Sequence, residues 1–494
     1  MTEQRSSYRQ IMKATSIFGG VQVSNIIVSI IRYKFIAVLL GPSGMGITSL
    51  LASTTNLIGG LTEFGLGFSA VKDVATADAT GNQARIAMVV TVLRRLVWIT
   101  GAIGTVVMLV FSPWLSELTF GNRKYTFAFI LISITLLFTQ LSSGQSALLQ
   151  GMRKLQNLAK LNIVSSVFGL VITVPLYYKY GIDGIVPAII ILSIVSVSLS
   201  WYFARKVKIK PVKVSWTQTL AEGRNMLTMG FMITLSGFIA TGTSYVVRIF
   251  INNNGGIEDV GLYSAGFTLI NSYVGLIFTA MGTDYYPRLS AVAYSNELCK
   301  QSINQQAEIA LLILAPIIML FLVFIEWGVI ILYSNRFIAV NGLIHWAALG
   351  MFFKAASWSI SFVLLAKGDF KLFFWNELIW ILYTLGLNLL GYYLMGLTGL
   401  GISFMISYVL YLTQVFVLSK IKYEFLFDLT FVRIFTIQLL LAISCFVVVE
   451  IVEKPYSHFI GVGLIFISTF YSYKELDKRL GLKSIFINIK NRLS

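Results

Sequence analysis

A chain of 494 residues with 56% hydrophobic and only 12% charged positions, and a mean hydropathy of +0.79, has too little polar surface to cover a water-soluble core. It reads as an integral membrane protein, and its net charge of +17 is spread over loops without the interleaved aromatic platform that nucleic-acid binding requires, so no nucleic-acid partner is expected. Two cysteines and two histidines leave no disulfide framework and no metal-ligand spacing, so neither a metal nor another cofactor is expected.

Taken in chain order, windows of about 20 apolar residues predict an all-α, polytopic protein of about 14 transmembrane helices. Their expected limits are 12–40, 46–71, 88–114, 126–148, 160–180, 184–204, 225–252, 260–285, 305–334, 340–366, 372–394, 398–419, 430–450 and 456–473. The runs are continuously apolar and lack the alternating period of an outer-membrane barrel. No small-residue cleavage site follows the first run, which is therefore expected to be a retained helix and not a signal peptide.

The chain echoes itself at an offset of about 216 residues. Arg32, then Gly41-Pro42-Ser43-Gly44-Met45-Gly46, is matched by Arg248, then Gly255-Gly256 and Val260-Gly261; Tyr177-Tyr178-Lys179-Tyr180-Gly181 is matched 215 residues later by Tyr392-Tyr393-Leu394-Met395-Gly396. Two matches at one offset predict a duplicated bundle, the build of many secondary transporters. The expected organisation is a six-helix lobe over 1–207, a basic linker over 208–224, a second six-helix lobe over 225–420, and two additional helices with a basic tail over 421–494.

Lysine and arginine set the expected orientation. With both termini cytoplasmic, 29 of the 38 fall in inside segments and five (Arg123, Lys124, Lys179, Arg336 and Lys454) outside, a strong positive-inside asymmetry. The run Arg205-Lys206-Val207-Lys208-Ile209-Lys210-Pro211-Val212-Lys213 is expected to anchor this topology on anionic membrane lipids.

Four basic residues remain inside the spans. A charge at mid-bilayer costs at least about 2.5 kcal/mol unless it faces water or a partner, so Arg32, Lys34, Arg248 and Lys354 are candidate anion-binding groups. Arg32 precedes Gly41 by nine residues, about 13 Å along a helix, and Lys34 lies about 200° around the helix from Arg32, so the two diverge. Among the acids, Glu63 in Gly59-Gly60-Leu61-Thr62-Glu63-Phe64-Gly65-Leu66-Gly67 is the best candidate for coupling to H+ or Na+, because glycines permit a broken helix beside a charge. Glu377 is a second ion-coupling candidate; Glu326 reads as interfacial and Glu258-Asp259 as a solvated loop.

No catalytic residue is expected. Every outside loop is short, about 5 to 12 residues, which disfavours a membrane polysaccharide polymerase, and no phosphate-cradling loop ending in Lys-Ser or Lys-Thr is present. What remains is a secondary transporter whose basic interior favours an anionic substrate over the organic cations of a drug antiporter.

Leu40-Gly41-Pro42-Ser43-Gly44-Met45-Gly46, Phe120-Gly121-Asn122, Leu149-Gln150-Gly151-Met152-Arg153-Lys154 and Leu332-Tyr333-Ser334-Asn335-Arg336-Phe337 together resemble the Wzx-type O-antigen and enterobacterial-common-antigen flippases. These belong to the multidrug/oligosaccharidyl-lipid/polysaccharide exporter superfamily. The likeness runs from about residue 10 to residue 420. It implies a V-shaped pair of six-helix lobes that flips undecaprenyl-pyrophosphate-linked oligosaccharide to the periplasmic leaflet of the bacterial inner membrane, alongside a polysaccharide polymerase and a chain-length regulator. Lys34, Arg248, Lys354 and Glu377 match charged positions of that family, whereas Arg32 and Glu63 stand on the residue argument alone.

Overall fold

The computed structural model describes residues 2–480 apart from 208, 210 and 211. Lys208 and Lys210 of the expected linker, and Lys483, Lys490 and Arg492 of the expected tail, lie outside the described residues. The described chain is helical throughout: α1 (Thr2–Thr62), α2 (Leu66–Ala79), α3 (Gln83–Val110), α4 (Ser112–Phe120), α5 (Thr126–Gly151), α6 (Leu155–Tyr180), α7 (Ile185–Arg205), α8 (Trp216–Gly255), α9 (Ile257–Thr268), α10 (Leu276–Ala291), α11 (Asn296–Leu332), α12 (Asn341–Ala366), α13 (Phe370–Tyr423), α14 (Leu429–Ile451) and α15 (Tyr456–Leu480). All fourteen expected spans fall on these helices. Among the described residues, eight stretches are long and apolar enough to cross a membrane; Leu155–Arg205 and Phe370–Tyr423 each hold two expected spans, Ser24–Thr62 overlaps two, and the expected spans at 225–252, 260–285 and 456–473 lie outside the eight.

Two expected boundaries move. The span at 46–71 breaks at Glu63-Phe64-Gly65, where Phe64 and Gly65 take positive φ of 48° and 59°. The linker at 208–224 is helical from Trp216, because Ser215 caps α8 through Gln218 N while the Gln218 side chain returns to Ser215 N, a reciprocal capping box. Glu258 and Asp259, expected in a loop, stand in the first turn of α9.

The duplication is written into the backbone. Gly41 (φ 69°, ψ −170°) and Gly256 (φ 90°, ψ 176°) share a conformation open essentially only to glycine. Gly181 (φ 55°, ψ −131°) and Gly396 (φ 58°, ψ −138°) share another. Each pair is 215 residues apart, as are the starts of the 26-residue helices α5 and α12. The register is therefore 215, which corrects the equivalence of the two arginines: Arg248 corresponds to Tyr33, between Arg32 and Lys34. A one-residue slip turns a side chain by about 100° around a helix, so Arg32 and Arg248 do not occupy matching positions.

Packing divides the chain into two compact units, one running to Gly261 and including Leu332–Ser334, the other holding Leu262–Ile331 and the chain from Asn335 onward. In the first, the kink of one repeat meets its counterpart reciprocally. A Cβ on Gly46 would stand 2.0 Å from Ile257 O, and one on Gly261 only 1.9 Å from Pro42 O. Backbone carbonyls cannot move aside as a side-chain tip can, so Gly261→Ala is expected to cost about 1–3 kcal/mol through overpacking. The measurement is thermal aggregation of the detergent-solubilised protein; Gly60→Ala, with nothing within 4 Å of its added Cβ, is the control that stays at the wild-type midpoint.

In the second unit, α14 and α15 are fastened by polar links. Gln438 lies buried and bonds Ser468 and Ser472 across the helix pair, Glu450 meets His345 of α12 at 2.8 Å, Lys454 pairs with Glu326 of α11, and Arg479 donates to Glu308 of α11 at 2.7 Å. Glu326, expected at the interface, is thus one half of an ion pair. Phe459, Phe466 and Phe470 on α15 remain exposed, as a lipid-facing surface requires.

Candidate functional site

In the first unit, Arg248 of α8 is half-buried. Its Nε donates to Ser49 Oγ on α1 at 3.0 Å and its Nη1 to Ser244 O at 3.0 Å and to Ser244 Oγ. The guanidinium is thereby aimed by two elements at once, which is the pre-organisation a fork-shaped donor needs for two-point contact with an anion. Lys34 donates from Nζ to the carbonyl of the fully buried Tyr333 at 2.7 Å. Arg32 turns instead toward α6, with Nη1 3.7 Å from the Cβ position of Gly169 and its guanidinium 5.8 Å from the Tyr33 ring centre. The divergence expected from their spacing is present.

Glu63 sits at the break between α1 and α2. Its Oε1 accepts from Ser143 Oγ of α5 at 3.1 Å, and Gln140 Nε2, which also donates to Thr100 Oγ1 at 3.0 Å, approaches the Glu63 carbonyl at 3.4 Å. The glycines have separate tasks here. Gly65 lets the broken backbone touch Gly230 of α8, where an added Cβ would stand 2.2 Å from Gly230 O, and Gly67 leaves the carboxylate room, a Cβ there standing 3.4 Å from Glu63 Oε1. Among the described residues no lysine or arginine lies within 4 Å of this carboxylate, so it is not half of a bundle-holding ion pair.

The second unit brings Lys354 and Glu377 into one polar and aromatic cluster. Lys354 Nζ of α12 donates to Asn271 Oδ1 at 3.1 Å and faces the rings of Tyr408, Phe278 and Phe404 at 5.3, 5.7 and 5.8 Å. Asn271 stands on a π-helical turn, Leu269–Val274, the kind of bulge that turns a side chain out of helical register. Glu377 of α13 accepts from Tyr411 Oη at 2.5 Å and from Asn376 Nδ2 at 3.2 Å, and Gln414 Nε2 holds Asn376 Oδ1 at 2.8 Å. Trp380 touches both Tyr408 and Tyr411, with ring centres 6.0 and 5.3 Å away, and so connects the two charged groups.

Sequence reasoning passed over Ser49, Ser244, Asn271, Tyr408 and Tyr411. It also passed over a legible stripe on α13: Glu377, Trp380, Thr384 and Asn388 recur every three or four residues, the period of one helix face. Among the described residues Trp380 Nε1, Tyr383 Oη, Thr384 Oγ1 and Asn388 Oδ1 are buried without a hydrogen-bond partner. Buried polar atoms without partners cost free energy unless something polar visits them.

The family profile described as polysaccharide biosynthesis protein matches residues 35–342, a stretch that holds Glu63, Arg248 and both reciprocal glycines. The chain belongs to that family. A lipid III flippase of Escherichia coli (strain K12) is 21% identical over 395 residues, covering 76% of this chain and 90% of the relative. In structure it is similar to the lipid II flippase MurJ in an inward closed conformation, with a TM-score of 0.71 at 12% identity over 95% of this chain and 99% of that one. An inward-facing multidrug resistance MATE family transporter of the MOP superfamily gives a TM-score of 0.61 at 14% identity, covering 82% and 94%. The fold of this family member is that of the exporter superfamily expected from the motifs. The relative at 21% identity is a flippase by name, in keeping with the transporter class expected from the sequence.

Proposed function

We propose that the protein flips an undecaprenyl-pyrophosphate-linked oligosaccharide, an O-antigen-like repeat unit, from the cytoplasmic to the periplasmic leaflet of the bacterial inner membrane, with both termini cytoplasmic. Six-helix lobes over 1–207 and 225–420 carry out the movement, with 208–224 as the linker and the last two helices, over 421–494, as an addition to the second lobe. Arg248, with Arg32 or Lys34, holds the phosphates; Lys354 binds an anionic part of the substrate, its aromatic surround offering faces on which sugar rings stack. Glu63 or Glu377 takes up H+ or Na+ and biases inward against outward states. A polysaccharide polymerase and a chain-length regulator receive the product.

The observation that carries this reading is Lys354. Its ammonium lies within a span, held by an amide oxygen and three aromatic faces, and among the described residues no carboxylate lies within 4 Å of it. A positive charge in hydrocarbon with no carboxylate in contact favours an anion over a lipophilic cation, which supports the flippase reading over a drug antiporter of the same fold.

The test is reconstitution in proteoliposomes with a fluorescent polyprenyl-pyrophosphate oligosaccharide, its leaflet followed by a membrane-impermeant quencher. Lys354→Gln is expected to slow flipping roughly tenfold, the loss of one charge-assisted contact. Wild-type protein that extrudes a lipophilic cation dye and leaves the labelled lipid in place would overturn the assignment.

A further inference from the structure

The first unit carries a groove that none of the transport residues touches. It has a volume of about 970 Å³ and lies among α3, α5, α7 and the chain that follows α7. Its lining is graded in the same sense on all three helices. On α3, Arg94 stands nearer than Val97 to the helix end at Gln83; on α5, Gln145 stands nearer than Leu141 to the end at Gly151; on α7, Arg205 is the terminal residue, with Val197 two turns deeper. Charge and amide at the mouth with aliphatic surface below is the profile of an amphiphile standing in a leaflet.

The two arginines are available. Among the described residues neither Arg94 nor Arg205 forms an ion pair or a hydrogen bond, and no carboxylate lines the groove. Arg205 lies over the Trp201 ring at 5.0 Å, which steers the guanidinium while leaving its N–H edge open. Trp98 and Trp201 are 55% and 54% exposed, placed as interfacial belt residues are. Beyond α7, Val207 and Ile209 also line the groove, and Arg95 donates to Val214 O and Thr219 Oγ1, both at 2.8 Å, beneath the Trp216 ring. A second cavity of about 430 Å³ shares Arg94, Trp98 and Ile209 with the groove and is also lined by Val212 and Trp216.

We propose that this groove is a binding site for an anionic glycerophospholipid, its phosphate between Arg94 and Arg205 and an acyl chain along Leu141, Val97 and Val197. Two basic groups lining one pocket between spans are the chemistry that recognises such a headgroup. The site is separate from the transport groups, and it stands or falls independently of the substrate assigned above.

The experiment is native mass spectrometry of the full-length protein in detergent, titrated with phosphatidylglycerol and with phosphatidylcholine. Wild type is expected to retain phosphatidylglycerol selectively. Arg94→Gln combined with Arg205→Gln should lower that retention at least about tenfold, as two lost headgroup contacts imply, whereas Arg153→Gln with Lys154→Gln, on an exposed loop, should leave it unchanged. Val197→Trp keeps both arginines and fills the apolar end; it should also lose the lipid, which decides the matter if the arginine variant fails to fold. Equal retention by wild type and the Arg94/Arg205 variant, equal loss from the loop variant, or undiminished retention by Val197→Trp would each overturn the site.

Discussion

Replacing Arg248 with alanine is expected to abolish display of the surface polysaccharide in a flippase-deficient strain, while Arg248→Lys retains a small part of it. The guanidinium is presented by Ser49 on one helix and Ser244 on its own, through Nε and Nη1 separately. A lysine ammonium keeps the charge but cannot make that divided contact and still offer a planar fork to a phosphate. Two charge-assisted bonds at about 1.5–3 kcal/mol each correspond to a loss of a hundredfold or more for alanine, and roughly tenfold for lysine. The alternative is a snorkelling anchor. In that case lysine, which snorkels equally well, would match wild type, and alanine would fail through lowered protein level. Membrane abundance measured beside polysaccharide display separates the two, and full display from a normally abundant Arg248→Ala protein removes this residue from the transport site.

The second large effect is expected at Glu63. Glu63→Gln preserves volume and the hydrogen bond from Ser143, and with it the packing at the α1–α2 break. A carboxylate that only shaped the break would tolerate this change. One that exchanges H+ or Na+ would not: transport in proteoliposomes should fall by roughly a hundredfold, the scale of about 3 kcal/mol removed from the driving step, and what remains should no longer respond to external pH or sodium. Wild-type rates from the glutamine variant at both acid and alkaline external pH would end the coupling role of this residue. Glu63→Ala is the less informative variant, since the space beside Gly67 would then be empty and packing loss would be mixed with charge loss.

The class of the molecule was legible because hydrocarbon imposes a severe constraint on sequence. Each span must be apolar for about 20 residues and satisfy its own backbone, so composition and window length are enough to place the helices. The duplication was legible for a similar reason. Gly41, Gly181, Gly256 and Gly396 sit at backbone angles that other residues avoid, so glycine persists there in both halves while side chains between them drift. Charges inside spans such as Arg248, Lys354 and Glu63 could be picked out from the sequence as candidates because a charge in hydrocarbon is costly.

Register and partnership were decided by tertiary structure. An offset judged from letters paired Arg32 with Arg248; the backbone conformations pair Tyr33 with Arg248, and one residue changes which helix face the charge occupies. That Glu63 is met by Ser143 rather than by a cation, that Lys354 rests on Asn271 and three rings, and that Arg94 and Arg205 line one groove, depend on residues far apart in the chain. Sequence periodicity states which face of a helix is polar; it does not state which face of which neighbour it meets. That choice depends on where glycines such as Gly46 and Gly261 let backbones touch, and steric fit of this kind exists only once the helices are packed.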